Sequence, residues 1–331
     1  MKFINSSINN NSVTGKPQGA TMTRLKSALL ASAAALVLTG PAAAEGCDKV
    51  TFSDVGWTDI TATTAVTTLI LKALGYETNI KILSVPVTYT SMAEGDIDVF
   101  LGNWMPTMEG DIAPYRDAGT VDIVRTNLEG AKYTLATNAK GAELGIRDFA
   151  DIARNKDALE GKVYGIEAGN DGNRLIMDMI AADKFEMAGF EVVESSEQGM
   201  LAQVARADER SEPVVFLGWE PHPMNANFKM TYLTGGDEVF GPNLGGATVV
   251  TNTRAGYVAE CANTGALLNN LSFTLAMENE IMGKILNDRT DPEVAAKEWL
   301  IANPGAITPW LAGVTTKDGG DAIAAVAAAL Q

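Results

Sequence analysis

Between Lys49 and Leu101 the chain runs strand, helix, strand, helix, strand, and this alternation restricts the fold more than any other feature. Lys49 to Asp54 carries β-branched and aromatic residues and reads as a strand. Thr61 to Leu74 reads as a helix, because Val66, Leu69, Ile70, Ala73 and Leu74 recur at helical spacing and Gly75 follows as a left-handed cap. In Glu77 to Leu83 the apolar-side residues Thr78, Ile80 and Ile82 alternate with Glu77, Asn79 and Lys81, the period of a strand. A short helix near Thr88 to Glu94 leads through Gly95-Asp96 into an apolar strand at Ile97 to Leu101. Such a unit builds an α/β layer with a mostly parallel sheet.

The same grammar returns further on. Tyr133 to Thr137, Val163 to Ile166 and Val214 to Gly218 read as strands, and Asn173 to Ala188 as a helix ended by Gly189. Ser195 to Gln198 fits a capping box that opens another helix, and from Ala255 the chain reads as helical, ending in Ala322 to Leu330. No repeat or low-complexity linker separates the halves. Two α/β lobes with no linker imply a chain that crosses between them more than once, with a cleft between.

The first 44 residues stand apart. Arg24 and Lys26 precede an apolar run from Ala28 to Leu38, and Ala42-Ala43-Ala44 closes it, the pattern of a cleavable secretory signal. Met22 is an alternative translation start, since the residues before it are polar and Asn/Ser-rich. Export to an oxidising compartment, the periplasm, makes a disulfide between the two cysteines, Cys47 and Cys261, the expected state. With 41 Asp/Glu against 25 Lys/Arg, four of the latter within residues 1–44, the chain is unsuited to nucleic acid or an anionic membrane.

Catalytic signatures are missing. The chain contains no Gly-rich phosphate loop, GxSxG elbow or HExxH pair, and too few Cys and His residues for a zinc site, so neither metal nor cofactor is expected. The single histidine, His222, lies between Pro221 and Pro223 and reads as a rigid surface turn. The tryptophans are more informative. Trp57, Trp104 and Trp219 each fall just past a strand, where loops of an open α/β sheet line a ligand crevice. Trp299 and Trp310 lie in the helical tail and read as packing residues. Indole faces suit a cation without hydrogen-bond donors, each contributing roughly 0.5–2 kcal/mol as the ion is desolvated.

The motifs Gly56-Trp57-Thr58-Asp59, Leu74-Gly75-Tyr76 and Gly95-Asp96-Ile97-Asp98-Val99-Phe100, with Trp104-Met105-Pro106, resemble the substrate-binding proteins of glycine betaine/choline ABC importers, the choline-binding members most closely. The resemblance extends over essentially the whole exported part. It implies a two-lobed periplasmic binding protein of the type II-like clamp class, with two crossovers, lobe I spanning 45–132 and 235–331 and lobe II spanning 133–234. It further implies an aromatic box of Trp57 and Trp104 from one lobe and Tyr133 and Trp219 from the other, with Asp59 and Asn170 meeting a ligand hydroxyl. From the residues alone, Asp59 reads equally as a cap of the following helix, Asn170 as a turn former and Tyr133 as core.

A buried Asp59 would repel the carboxylate of glycine betaine and accept from the hydroxyl of choline, so choline is the expected ligand, with acetylcholine or betaine weaker. The expected partner is the membrane permease of an ABC importer, served by a monomeric binding protein. A glycine betaine or proline betaine receptor of the same family is the alternative within this class. An enzyme acting on choline-like substrates is the alternative outside it, and it lacks a nucleophile–base pair.

Overall fold

The computed structural model describes residues 46–331; the expected export signal at residues 1–44, with its alternative start at Met22, lies outside the described residues. The opening unit is β1 (Lys49–Asp54), α1 (Thr58–Ala73), β2 (Glu77–Ile82), α2 (Val85–Glu94) and β3 (Val99–Met105). Helix α1 begins three residues before the apolar period does, because Thr58, Asp59 and Ile60 are all buried and hydropathy registers only the last. It ends as expected: Gly75 takes φ +94°, and the Tyr76 amide turns back to the Leu71 carbonyl.

Six further strands complete one sheet: β4 (Val121–Asn138), β5 (Lys162–Tyr164), β6 (Glu191–Val193), β7 (Val215–Glu220), β8 (Met230–Tyr232) and β9 (Gly246–Arg254). Their order is β2-β1-β3-β9-β4-β7-β5-β6, with β8 also on β4. The sheet is mixed rather than mostly parallel. Strands β1, β2 and β3 pair in parallel, as do β5, β6 and β7, but β9 runs antiparallel to β3 and β4, and β4 antiparallel to β7 and β8. Strand β9 and the first half of β4 escape a hydropathy reading; the second half of β4 is the strand expected at Tyr133 to Thr137. In β9 the fully buried run is Thr251-Asn252-Thr253, and the first half of β4 is broken by three register shifts against β9.

Strand β4 joins the two parallel groups. Its residues from Val121 to Lys132 pair with β9, and those from Lys132 to Thr137 pair with β7, so Lys132 faces Gly246 on one edge and Glu220 on the other.

Several local expectations shift. Strands β3 and β7 run on past Leu101 and Gly218, which puts Trp104 and Trp219 on their last turns of strand instead of in the loops beyond. The helix expected at Asn173 to Ala188 spans Asp171–Ala181 and gives way to a short 3-10 turn at Lys184–Glu186. At the start of the Glu197–Arg210 helix the cap is Ser196, whose hydroxyl accepts from the Gly199 amide, with no reciprocal box. Cys47 and Cys261 form a disulfide across 214 residues of sequence. Trp299 and Trp310 stack at 6.4 Å inside the C-terminal helices. Among the described residues no helix is long and apolar enough to cross a membrane.

Candidate functional site

The turn between β1 and α1 is built by Asp54, whose carboxylate accepts from the Gly56 amide (2.8 Å) and the Thr61 hydroxyl (2.7 Å). Gly56 sits at φ +85°, a conformation that glycine adopts without strain, and the chain then delivers Trp57 as the N-cap of α1. Trp104, at the end of β3, donates its indole N–H to Asp59 Oδ2 at 3.0 Å. That bond, rather than a helix amide, is what the Asp59 side chain holds, and the N-cap residue Trp57 makes no side-chain cap bond either. Tyr133 and Trp219 are direct cross-strand partners on β4 and β7, their rings edge-to-face at 6.2 Å. The Tyr133 hydroxyl donates to Asn170 Oδ1 at 2.9 Å, and a Cβ on Gly172 would stand 2.1 Å from it, so that position admits only glycine.

Asn170 turns out to be both turn former and wall. Its Oδ1 caps the Asp171–Ala181 helix by accepting from the Asn173 amide at 3.0 Å, while its Nδ2 donates to Asp171 Oδ1 at 3.0 Å.

All six residues expected from the sequence, Trp57, Asp59, Trp104, Tyr133, Asn170 and Trp219, line one cavity of about 260 Å³, together with Ile166 and Asp171. A site this small suits a molecule of a few heavy atoms. Asp171 was missed in the sequence although it adjoins Asn170; a second carboxyl in that strand-to-helix turn was the available signal.

The electrostatics are one-sided. Lys, Arg and His are missing from the residues that line the cavity, while Asp59 and Asp171 are almost completely buried there. Each keeps one oxygen, Asp59 Oδ1 and Asp171 Oδ2, without a hydrogen-bond partner. Burial, reinforced by the charge of Glu197, pushes the Asp59 carboxyl up to about 7. Burial raises Asp171 to about 6, and the charge of Asp111 adds to the rise. Behind Asp59 the fully buried Glu278 is pushed well above the ordinary carboxyl range by desolvation and then by Asp59 itself. Unpartnered buried carboxylate oxygens are costly. A cation entering this cavity relieves that cost.

His222 is not a surface turn. It is 1 % exposed and packs edge-on against Trp219 at 4.8 Å. Its Nδ1 accepts from the Met224 amide (2.9 Å), which leaves the proton on Nε2, directed at Glu197 Oε1 3.1 Å away. Flanking prolines suggested exposure; the partner that buries this ring is distant in sequence and invisible to local reading.

The chain is similar to known proteins over most of its length. The family model described as the substrate binding domain of ABC-type glycine betaine transport system (OpuAC) matches residues 48–302. A solved structure of an ABC-transporter choline binding protein in complex with choline is 72 % identical, covers 87 % of this chain and 100 % of its own, and superposes with a TM-score of 0.86. A second, of an ABC-transporter choline binding protein in an unliganded semi-closed conformation, is 73 % identical over 86 % of this chain and 99 % of its own, with a TM-score of 0.80. Uncharacterized protein ORF1 of Chromohalobacter salexigens is 48 % identical over 132 residues, 40 % of this chain and 85 % of its own length.

Proposed function

We propose, from the premise that this chain belongs to the OpuAC family of substrate-binding domains of ABC-type glycine betaine transport systems, that it captures choline outside the cytoplasm and hands it to an ABC importer. Members of this family are transport receptors and not enzymes, and their fold is the two-lobed α/β clamp. The observation that carries the ligand assignment is the cavity itself, in which four aromatic rings and two unpartnered carboxylate oxygens meet with no basic side chain.

A trimethylammonium group has no N–H to donate, so hydrogen-bond acceptors cannot hold it by themselves. It is held by ring faces, roughly 0.5–2 kcal/mol each once water is excluded, and by diffuse negative charge. Trp57, Trp104, Tyr133 and Trp219 supply the faces, and Asp59 and Asp171 the charge. The hydroxyl end of choline is a donor and finds acceptors in the free oxygens of these two carboxylates, while Asn170 Nδ2 keeps an N–H to offer the hydroxyl oxygen. Glycine betaine would bring its carboxylate toward the same two acids with no arginine or lysine to meet it, and is the weaker ligand, as is the bulkier acetylcholine.

Lobe I comprises 45–132 and 235–331 and lobe II 133–234; the transfer of β4 from β9 to β7 at Lys132 supports that boundary. Residues 1–44 serve as the export signal to the periplasm, where the protein works as a monomer and docks on its permease.

Titration calorimetry of the purified protein with choline, and separately with glycine betaine, tests the reading. Tighter binding of choline, abolished in Trp57→Ala and weakened in Asp59→Asn, is the expected result. A preference for betaine would reverse the ligand assignment, and no heat with either would remove it.

A further inference from the structure

Helix α1 has an N-terminus that nothing in its own neighbourhood caps. Its N-cap residue is Trp57, whose side chain offers only a donor, and no side-chain bond closes the first turn. The first amide of the helix, on Thr58, is nevertheless bonded. It donates to Glu197 Oε2 at 2.8 Å, and the Thr58 hydroxyl donates to Glu197 Oε1 at 2.6 Å. Glu197 is the first residue of the Glu197–Arg210 helix, reached after β6 at the opposite end of the sheet from β1 and β2. Its carboxylate takes a third donor, His222 Nε2 at 3.1 Å, from the turn that follows Trp219. All three side chains are buried: Thr58 is 3 %, Glu197 0 % and His222 1 % exposed.

We infer that Glu197 is a closure latch: a carboxylate of lobe II that caps helix α1 of lobe I across the cleft, and so holds the clamp shut. The inference rests on the clamp reading above. Its place explains its coupling to ligand. Thr58 stands between Trp57 and Asp59, the two cavity residues of α1, and His222 backs Trp219, a cavity residue of β7. Seating a ligand against those residues sets Thr58 and His222 where Glu197 finds them. When the lobes part, the Thr58 amide reverts to one of the unsatisfied donors of a 16-residue helix, and water must replace the carboxylate. The carboxylate is suited to this because its three hydrogen-bond partners all donate to it; an amide in its place would set an N–H against the Thr58 amide or the His222 Nε2–H.

Glu197→Gln and Thr58→Val test the latch, with dissociation of choline followed by tryptophan fluorescence after rapid dilution. Thr58→Val keeps the backbone bond and removes only the hydroxyl. Charge-assisted hydrogen bonds of this kind correspond to roughly 10- to 100-fold in an equilibrium. Glu197→Gln is expected to speed dissociation by about that factor and Thr58→Val by several-fold. In Thr58→Val, association and the preference for choline over glycine betaine stay as in the wild type, because that variant changes neither a cavity residue nor the Glu197 charge that bears on Asp59. A purely structural role would instead lower the melting temperature while the folded protein released choline at the wild-type rate. Unchanged dissociation in both variants overturns the latch. If Glu197→Gln fails to fold, Thr58→Val decides alone, a several-fold acceleration supporting the latch and a wild-type rate ending it. A wild-type protein that responds neither to choline nor to betaine is a different failure, that of the receptor reading, and takes the latch with it.

Discussion

All five tryptophans of this chain are buried, between 3 % and 9 % exposed, yet three of them line a cavity and two pack only on protein. Trp299 and Trp310 stack on each other, and their indole N–H groups are spent on Glu280 (2.9 Å) and the Ser272 carbonyl (3.1 Å). Around Trp57, Trp104 and Trp219 the polar atoms are not all spent: Trp104 holds one oxygen of Asp59 while the other stays free, as does one of Asp171. Burial therefore does not separate a packing tryptophan from a binding one. What separates them is whether the faces are covered and whether the polar groups beside them are satisfied. Folded proteins leave few buried polar atoms unpaired, and two of them lining one cavity mark a place made for something else.

The largest effect that would break this contrast is at Trp219. Trp219→Ala removes a wall that faces the cavity and also backs on Tyr133 and His222. Choline affinity is expected to fall roughly 100-fold or more, from the lost cation–π face together with the buried area. Calorimetry at matched folded fraction measures it. A loss under fivefold would put Trp219 in the same class as Trp310.

Asp59→Asn sharpens the contrast by dividing binding from stability. The asparagine keeps an acceptor for Trp104 but removes the charge, so choline binding should weaken by about 10- to 30-fold at pH 8. The ligand-free protein should become more stable at that pH. The folded-state value of Asp59, about 7, lies above its ordinary value near 3.8, so its ionisation at pH 8 opposes folding. Melting temperatures with and without choline, in both proteins, show whether the two signs are opposite. A ligand-free variant less stable than wild type at pH 8 would mean that Asp59 is there for the fold.

The same carboxyl sets a pH dependence with two directions. Raised values at Asp59 and Asp171, from burial first, give stability that is fully present below about pH 4 and is lost as pH rises through about 6 and 7. Binding of a cation runs the other way, since it requires the ionised form. If one ionisation near 7 controls it, choline affinity should fall about tenfold from pH 8 to pH 6. Flat affinity over that interval would show that the rings alone carry the ligand.

How much of this was open to a reader of the sequence depends on how local the cause is. The β1–α1 turn, with Asp54, Gly56 and Trp57, is a matter of neighbouring residues, and both the strand and the tryptophan beyond it were legible. Trp104 and Trp219 were read as post-strand residues and lie on the strands themselves, because strand length is set by pairing with β9 and β4, not by local hydropathy. Strand β9 was unread for a related reason: Thr251, Asn252 and Thr253 are buried polar residues, and the partners of the first two are distant, Thr251 bonding Asn127 across 124 positions and Asn252 the Asp122 carbonyl across 130. Glu197 and His222 were illegible as a pair. Each looks ordinary, and only the closed fold brings a carboxylate from one side to the first amide of a helix on the other. Asp171 stood beside a residue already singled out, and was passed over because one acid among 41 carries no signal until burial makes it expensive.

The smallest expected effect tests the other half of the comparison. Trp310→Phe keeps a ring to stack near Trp299 and Phe273 but takes away the N–H that satisfies the Ser272 carbonyl. Leaving that acceptor unpaired, with a smaller ring in the same space, should cost about 1–3 kcal/mol in denaturant unfolding. Choline affinity should change by less than twofold, because neither tryptophan of this pair lines the cavity. A larger loss of binding with little loss of stability would place Trp310 among the residues that sense the ligand. The tail helices would then be part of the clamp's response, since the Leu275–Leu286 and Pro292–Ala302 helices pack directly on α1, which carries Trp57 and Asp59.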